Sequence, residues 1–118
     1  MNARTTALSA LIAVRRQNAW ADGALKEYIA RDRLSRRDAA LAARLVYGVV
    51  QNRLLLDFDL AQVVSSPLAK LQPVVLDILR LGAYQILFLD KIPVSAAVNE
   101  AVEQTKTYAN KRAAGLVN

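Results

Sequence analysis

The sequence contains neither cysteine nor histidine. Without cysteine there is no disulfide framework, no thiolate metal site and no cysteine nucleophile. Without histidine the commonest general base and metal ligand is missing, which removes Ser–His–Asp and Cys–His machinery and most zinc chemistry. The four glycines, Gly23, Gly48, Gly82 and Gly115, stand far apart, so neither a phosphate-cradling loop nor a dinucleotide fingerprint can be assembled. Strand signals are nearly absent: β-branched residues do not alternate with polar ones, and no Asn-Gly or Asp-Gly hairpin turn occurs. No stretch reaches the ~18 uninterrupted apolar residues of a membrane helix; the longest candidate, residues 73–89, contains Asp77, Arg80 and Gln85. The N-terminus does not read as a signal peptide, because its short apolar stretch is broken by Ser9 and runs into Arg15–Arg16 without a small-residue cleavage site. The expectation is a soluble protein, with no membrane partner, working in the cytoplasm.

What remains is a 118-residue chain with 54% hydrophobic residues, long enough for one domain with a real core and too apolar for disorder. Its net charge of +6 is unevenly placed. Residues 1–53 hold ten cations against four acids, while residues 54–118 balance at six against six. Nine of the ten cations are arginine, the better fork for phosphate and a stacking partner for bases. A one-sided basic half points to a polyanion such as nucleic acid; the plainer alternative is a solubilising surface.

Helical periodicity runs throughout. A first helix is predicted over residues 6–17, with Leu8, Leu11 and Ile12 inward and Arg15 and Arg16 in its last turn, where the dipole favours cations. A second covers residues 22–31, with Asp22 as its cap. Ser35, with Asp38 three residues on, forms a capping box for a third, in which Leu41, Leu45 and Val49 repeat at helical spacing. That pattern continues through "RLLLDFDLAQVV" to a break at Ser65–Ser66–Pro67. Pro73 opens a helix over residues 73–89, apolar on nearly all sides and therefore central, with Asp77, Arg80 and Tyr84 as one polar stripe. Gly48 and Gly82 inside helices mark close approaches of another backbone. After the corner Asp90–Lys91–Ile92–Pro93, a last helix covers residues 93–108, with Val94, Val98, Ala101, Thr105 and Tyr108 on its inner face.

Catalytic chemistry is hard to place on this scaffold. Asp57 and Asp59 project in different directions on a helix, and Asp77 has Arg80 within one turn as a partner. Asn99 and Glu100 lie on the flanks of the last helix, and Glu100 has no second acid, metal or base beside it. Residues 1–118 taken alone read as a binding module without a catalytic, cofactor or metal site.

The order of motifs adds to this reading. "ARLVYGVVQNRLLLD" is followed by Leu79–Arg80–Leu81–Gly82–Ala83–Tyr84–Gln85–Ile86, Pro93, Ala97–Val98–Asn99–Glu100–Ala101–Val102, Lys106 and Leu116–Val117–Asn118. Together these resemble the NusB family, and above all the NusB-like N-terminal domain of small-subunit rRNA cytosine-5 methyltransferases. The resemblance covers essentially the whole chain. It implies an all-α bundle of two packed three-helix units that binds RNA, rRNA foremost. It also implies that residues 1–118 are a domain cut from a longer chain, with more helix after Asn118 and then a C-terminal methyltransferase domain. S-adenosylmethionine and the catalytic cysteines would belong to that domain, so these residues alone would methylate nothing. The alternative is a standalone transcription antitermination factor that binds RNA and a small ribosomal protein. Such factors resemble one another in a run of consecutive arginines near the N-terminus, of which this sequence keeps only Arg4. A third reading is a protein-docking module whose arginines are only surface.

The expected RNA surface is Arg4, from the resemblance, together with Arg33, Arg36, Arg37 and Arg44. Arg33, Arg36 and Arg37 cluster where the second helix hands over to the third, and Arg37 and Arg44, seven apart, share a helix face. Arg15 and Arg16 are explained by their helix C-terminus alone. The competing expectation is that these arginines are solvated and paired with Asp32 and Asp38.

Overall fold

The computed structural model describes residues 2–17, 20–64, 67–89, 92–109 and 117. Ser65 and Ser66 of the predicted break, Asp90 and Lys91 of the predicted corner, and Gly115, Leu116 and Asn118 at the end lie outside the described residues. Those described form six α-helices, α1 (Ala3–Gln17), α2 (Ala21–Asp32), α3 (Arg36–Gln51), α4 (Arg53–Val63), α5 (Pro73–Phe88) and α6 (Val94–Tyr108), with a short 3-10 turn at Leu68–Lys70 and no strand among them. The fold is all-α, as the periodicity requires. The chain divides into two compact units, residues 1–51 and 52–118, each built on three helices. Among the described residues no helix is long and apolar enough to cross a membrane.

In the first unit α1 packs against both α2 and α3. It begins three residues earlier than predicted, because Asn2 caps it: its side-chain oxygen accepts the Thr5 N–H at 2.9 Å. Leu8, Leu45 and Val46 are fully buried, each worth roughly 1.5–3 kcal/mol of transfer free energy. Two side-chain contacts reveal the up-down-up course. The Thr6 hydroxyl donates to Asp32 at 2.7 Å, joining the start of α1 to the end of α2. The Tyr47 hydroxyl donates to Asp22, joining the end of α3 to the start of α2. That carboxylate pushes the Tyr47 hydroxyl above its ordinary pKa, because it favours the protonated phenol. Asp22 is therefore not the cap of α2. The helix starts one residue before it, and the carbonyl of Trp20 accepts the Ala24 N–H at 3.0 Å.

Ser35 does cap α3, its hydroxyl accepting the Asp38 N–H at 3.1 Å. The pattern that ran unbroken into "RLLLDFDLAQVV" is divided at Asn52, a turn residue between α3 and α4. Apolar periodicity survives the turn, so sequence spacing alone does not betray it.

In the second unit α5 packs against both α4 and α6, and Val75, Ile78 and Leu81 fill its core. Its polar stripe is buried: Asp77, Arg80 and Tyr84 all lie inside, with Tyr84 stacked on Phe88 at 5.1 Å between ring centroids. Arg80 holds Asp57 of α4 through Nε at 2.7 Å and Nη2 at 2.9 Å, and Asp77 lies 3.8 Å from its Nη1. The partnership of Asp77 with Arg80 is thus present, but Asp57 is the tighter partner. Pro93 caps α6 instead of opening it. The inner face of α6 is Ala97, Ala101, Gln104 and Thr105, while Val94 and Tyr108 face out. Gly82 approaches α6 less closely than predicted: a Cβ built there would meet the Ala101 Cβ at 3.9 Å, an ordinary contact.

Candidate nucleic-acid interface

The up-down-up course of the first unit decides where its arginines go. The start of α1, the end of α2 and the start of α3 meet at one end of the bundle. Arg4 is in the first turn of α1, Arg33 follows the last residue of α2, and Arg36 and Arg37 are the first two residues of α3. These four positions therefore share one end. Arg44 lies two turns further along α3, about 10 Å from Arg37 by helical rise. Arg33, Arg36, Arg37 and Arg44 are exposed. Arg4 is half-buried and already interacts within the chain.

The conformation of Arg33 is the least ordinary feature of this end. Its φ of 51° and ψ of 46° put it in the left-handed region. Its N–H and that of Leu34 reach back to the carbonyls of Ala30 and Ile29, both at 3.3 Å, the paired closure that ends many helices and usually employs glycine. An L side chain there is disfavoured by roughly 1–2 kcal/mol. Arg36 and Arg37 are also poorly matched to their helix, because cations in a first turn oppose the macrodipole. Helix stability does not account for an arginine at any of the three positions.

The acids predicted to neutralise the cluster are differently engaged. Asp32 is held by Arg31, through Nε at 2.7 Å and Nη2 at 3.0 Å, and by the Thr6 hydroxyl. Its side chain is 3% exposed. The Arg31 hydrogen bonds hold its carboxyl below the usual carboxylate range against the opposing effect of burial, with Thr6 assisting. Arg31 in turn covers the Tyr28 ring at 4.5 Å and reaches Ser9 Oγ at 3.3 Å. Sequence reasoning left Arg31 out of any role; its adjacency to Asp32 and its three-residue spacing from Tyr28 were the available signals. Asp38 sits in the first turn of α3, where its backbone serves the Ser35 cap. Among the described residues no acid forms an ion pair with Arg33, Arg36, Arg37 or Arg44.

The second unit offers a different surface. An apolar groove of about 710 Å³ runs among α4, α5 and α6, with Leu60, Ile78, Gly82, Ile86, Ala97 and Val117 in its lining. Glu100 is half-buried and interacts within the chain, whereas Asn99 is exposed. Among the described residues no group of three or more histidine, cysteine, aspartate or glutamate side chains could hold a metal ion.

The described residues define an all-α domain, six helices in two three-helix units, the first of them with a basic end. The NusB family model matches residues 1–118, and the chain belongs to the NusB family. It is 40% identical over 115 residues to the probable ribosomal RNA small subunit methyltransferase B of Bacillus subtilis (strain 168), covering 98% of this chain and 26% of that protein. It is 32% identical over 116 residues to the transcription antitermination protein NusB of Ruminiclostridium cellulolyticum, covering 98% of this chain and 80% of that one. The chain thus spans about a quarter of the length of the methyltransferase relatives it matches. Among solved structures, a chain in the crystal structure of a plectonemic RNA supercoil superposes with a TM-score of 0.88 at 22% identity, over 98% of this chain and 85% of that one, which establishes the shared fold.

Proposed function

We propose that residues 1–118 are an RNA-binding domain of a small-subunit rRNA cytosine-5 methyltransferase, and that they help a C-terminal catalytic domain engage rRNA in the cytoplasm. The observation that carries the reading is the basic end of the first unit, where Arg33, Arg36 and Arg37 meet without acids paired to them. Exposed guanidinium groups at such a corner suit phosphate oxygens, which they contact as forks and at long range. The long methyltransferase relatives supply the class of RNA. S-adenosylmethionine would bind outside these residues, so the isolated chain should neither take up the methyl donor saturably nor transfer methyl groups.

A second reading, a standalone antitermination factor, is favoured by the coverage of the Ruminiclostridium NusB protein along 80% of its length. The length of the native polypeptide separates the two.

The test is a salt series of RNA binding with the parent and an Arg36→Ala, Arg37→Ala double variant. The double variant should bind more weakly to RNAs of any sequence. The slope of log affinity against log salt should flatten by roughly two units, about one for each lost phosphate contact. A double variant that matches the parent at every salt concentration rules out this surface.

A further inference from the structure

Trp20 is the only tryptophan in the chain, and it is 88% exposed. We infer that Trp20 is a stacking platform for an unpaired nucleobase, forming a second RNA contact at the end of the first unit opposite the arginine corner; this rests on the RNA-binding reading above.

Three observations lead there. The first is isolation. The other strongly exposed apolar side chains, Leu54, Phe58 and Val63, belong to the second unit, and the first unit's only other large one among the described residues is Val50, about half as exposed. A protein-docking surface is a contiguous apolar patch; among the first unit's described residues only half-exposed Val50, near the end of α3, accompanies Trp20 at this end. The second is charge. Arg15 and Arg16 occupy the last turn of α1 and are exposed, so Trp20 follows them in sequence by only four or five residues, across the α1–α2 connection. An aromatic face beside cations is the combination that binds single-stranded nucleic acid, because every base has a face to stack while the cations follow the phosphates. The third is rigidity. The side chain is exposed but its backbone is fixed, since the Trp20 carbonyl accepts the Ala24 N–H at 3.0 Å and begins α2. A ring with two rotatable bonds on a fixed backbone loses little freedom when a base settles on it.

The up-down-up course places Trp20, at the start of α2, at the other end of the helix from Arg33, which follows its last residue. The twelve residues of α2 separate the two contacts by about 18 Å at helical rise. The arginine corner then holds backbone phosphates, and Trp20 reads whether a base is free to leave its stack.

The experiment uses the emission of this single tryptophan. A mixed-sequence single-stranded RNA, and the same strand annealed to its complement, are titrated into the chain, with binding followed independently by anisotropy of a labelled strand. The single strand should quench Trp20 emission at saturation, and the duplex should bind without quenching, since its bases are already stacked. Trp20→Ala should weaken single-strand binding by about 5- to 150-fold and leave duplex binding unchanged, while Trp20→Phe should retain most of the affinity. The substitution sits on an exposed side chain and leaves the core intact. If the single strand binds by anisotropy but emission does not change and Trp20→Ala binds as the parent does, the stacking role falls while the RNA reading stands. Equal quenching by duplex and single strand also overturns it. If neither RNA binds even at low salt, both readings fall together.

Discussion

Arg80 of α5 and Asp57 of α4 are joined at two points, Nε to Oδ1 at 2.7 Å and Nη2 to Oδ2 at 2.9 Å, with the arginine side chain 10% exposed. This geometry holds a buried guanidinium in place, and removing its partner is costlier than the pair itself is stabilising. Asp57→Ala should therefore destabilise the chain by about 2–3 kcal/mol, below the full cost for a wholly buried pair because Asp57 is partly open to water. Replacing Arg80 by Met as well should not recover that loss, because it strips buried Asp77 of the guanidinium 3.8 Å away. Urea unfolding of the two variants checks it; equal stability of Asp57→Ala and the parent would show the contact to be idle.

Arg33 separates stability from binding. Its left-handed backbone suits glycine, so Arg33→Gly should raise unfolding free energy by about 1 kcal/mol. It should also weaken RNA binding and lower the salt slope by roughly one unit. Loss of stability in this variant would mean that the Arg33 side chain holds the corner together.

Gly82 leaves room for a methyl group. Gly82→Ala should stabilise α5 by about 0.5–1 kcal/mol, since its Cβ meets Ala101 at an ordinary distance. A drop in melting temperature would restore the close-approach reading.

Asp32 gives the chain an acid-sensitive joint. Its folded-state pKa is lowered, first by Arg31, so its contribution is present above the unfolded carboxylate value of about 3.9 and is lost as pH falls through the lower folded value. Below pH ~4 the parent should lose stability more steeply than Asp32→Asn, as measured by urea midpoints. Parallel curves would count against the joint. With no histidine in the chain, no side chain titrates near pH 6–7 at its ordinary pKa, and stability should be nearly flat there.

The sequence made helices legible wherever apolar spacing or a short-range cap marks them. Ser35 is such a cap, three residues from the N–H it accepts. Asn2 plays the same part for α1 but precedes the first apolar repeat. The start of α2 at Trp20 carries no residue signature, since no side chain caps it. Contacts across long separations were the least legible. Asp77 suggested itself as the partner of Arg80 by lying one turn away, whereas Asp57, 23 residues distant, becomes visible only when α4 and α5 are side by side. The arginine corner was legible because α2 and α3 are joined there by a short turn. Asp32 looked like its counter-charge, and only packing against α1 shows that Thr6 and Arg31 have claimed it.

Helix α4 buries only Leu56 and Leu60 of its eleven residues, while Leu54 and Val63 at its ends are 85% and 80% exposed. Two leucines and one ion pair are a slender hold on a helix. Its amide protons should answer to a local opening, well before the unit that contains it unfolds as a whole. In heavy water, deuterium should therefore enter the backbone of α4 ahead of that of α5, and releasing Asp57 should speed the uptake in α4 first.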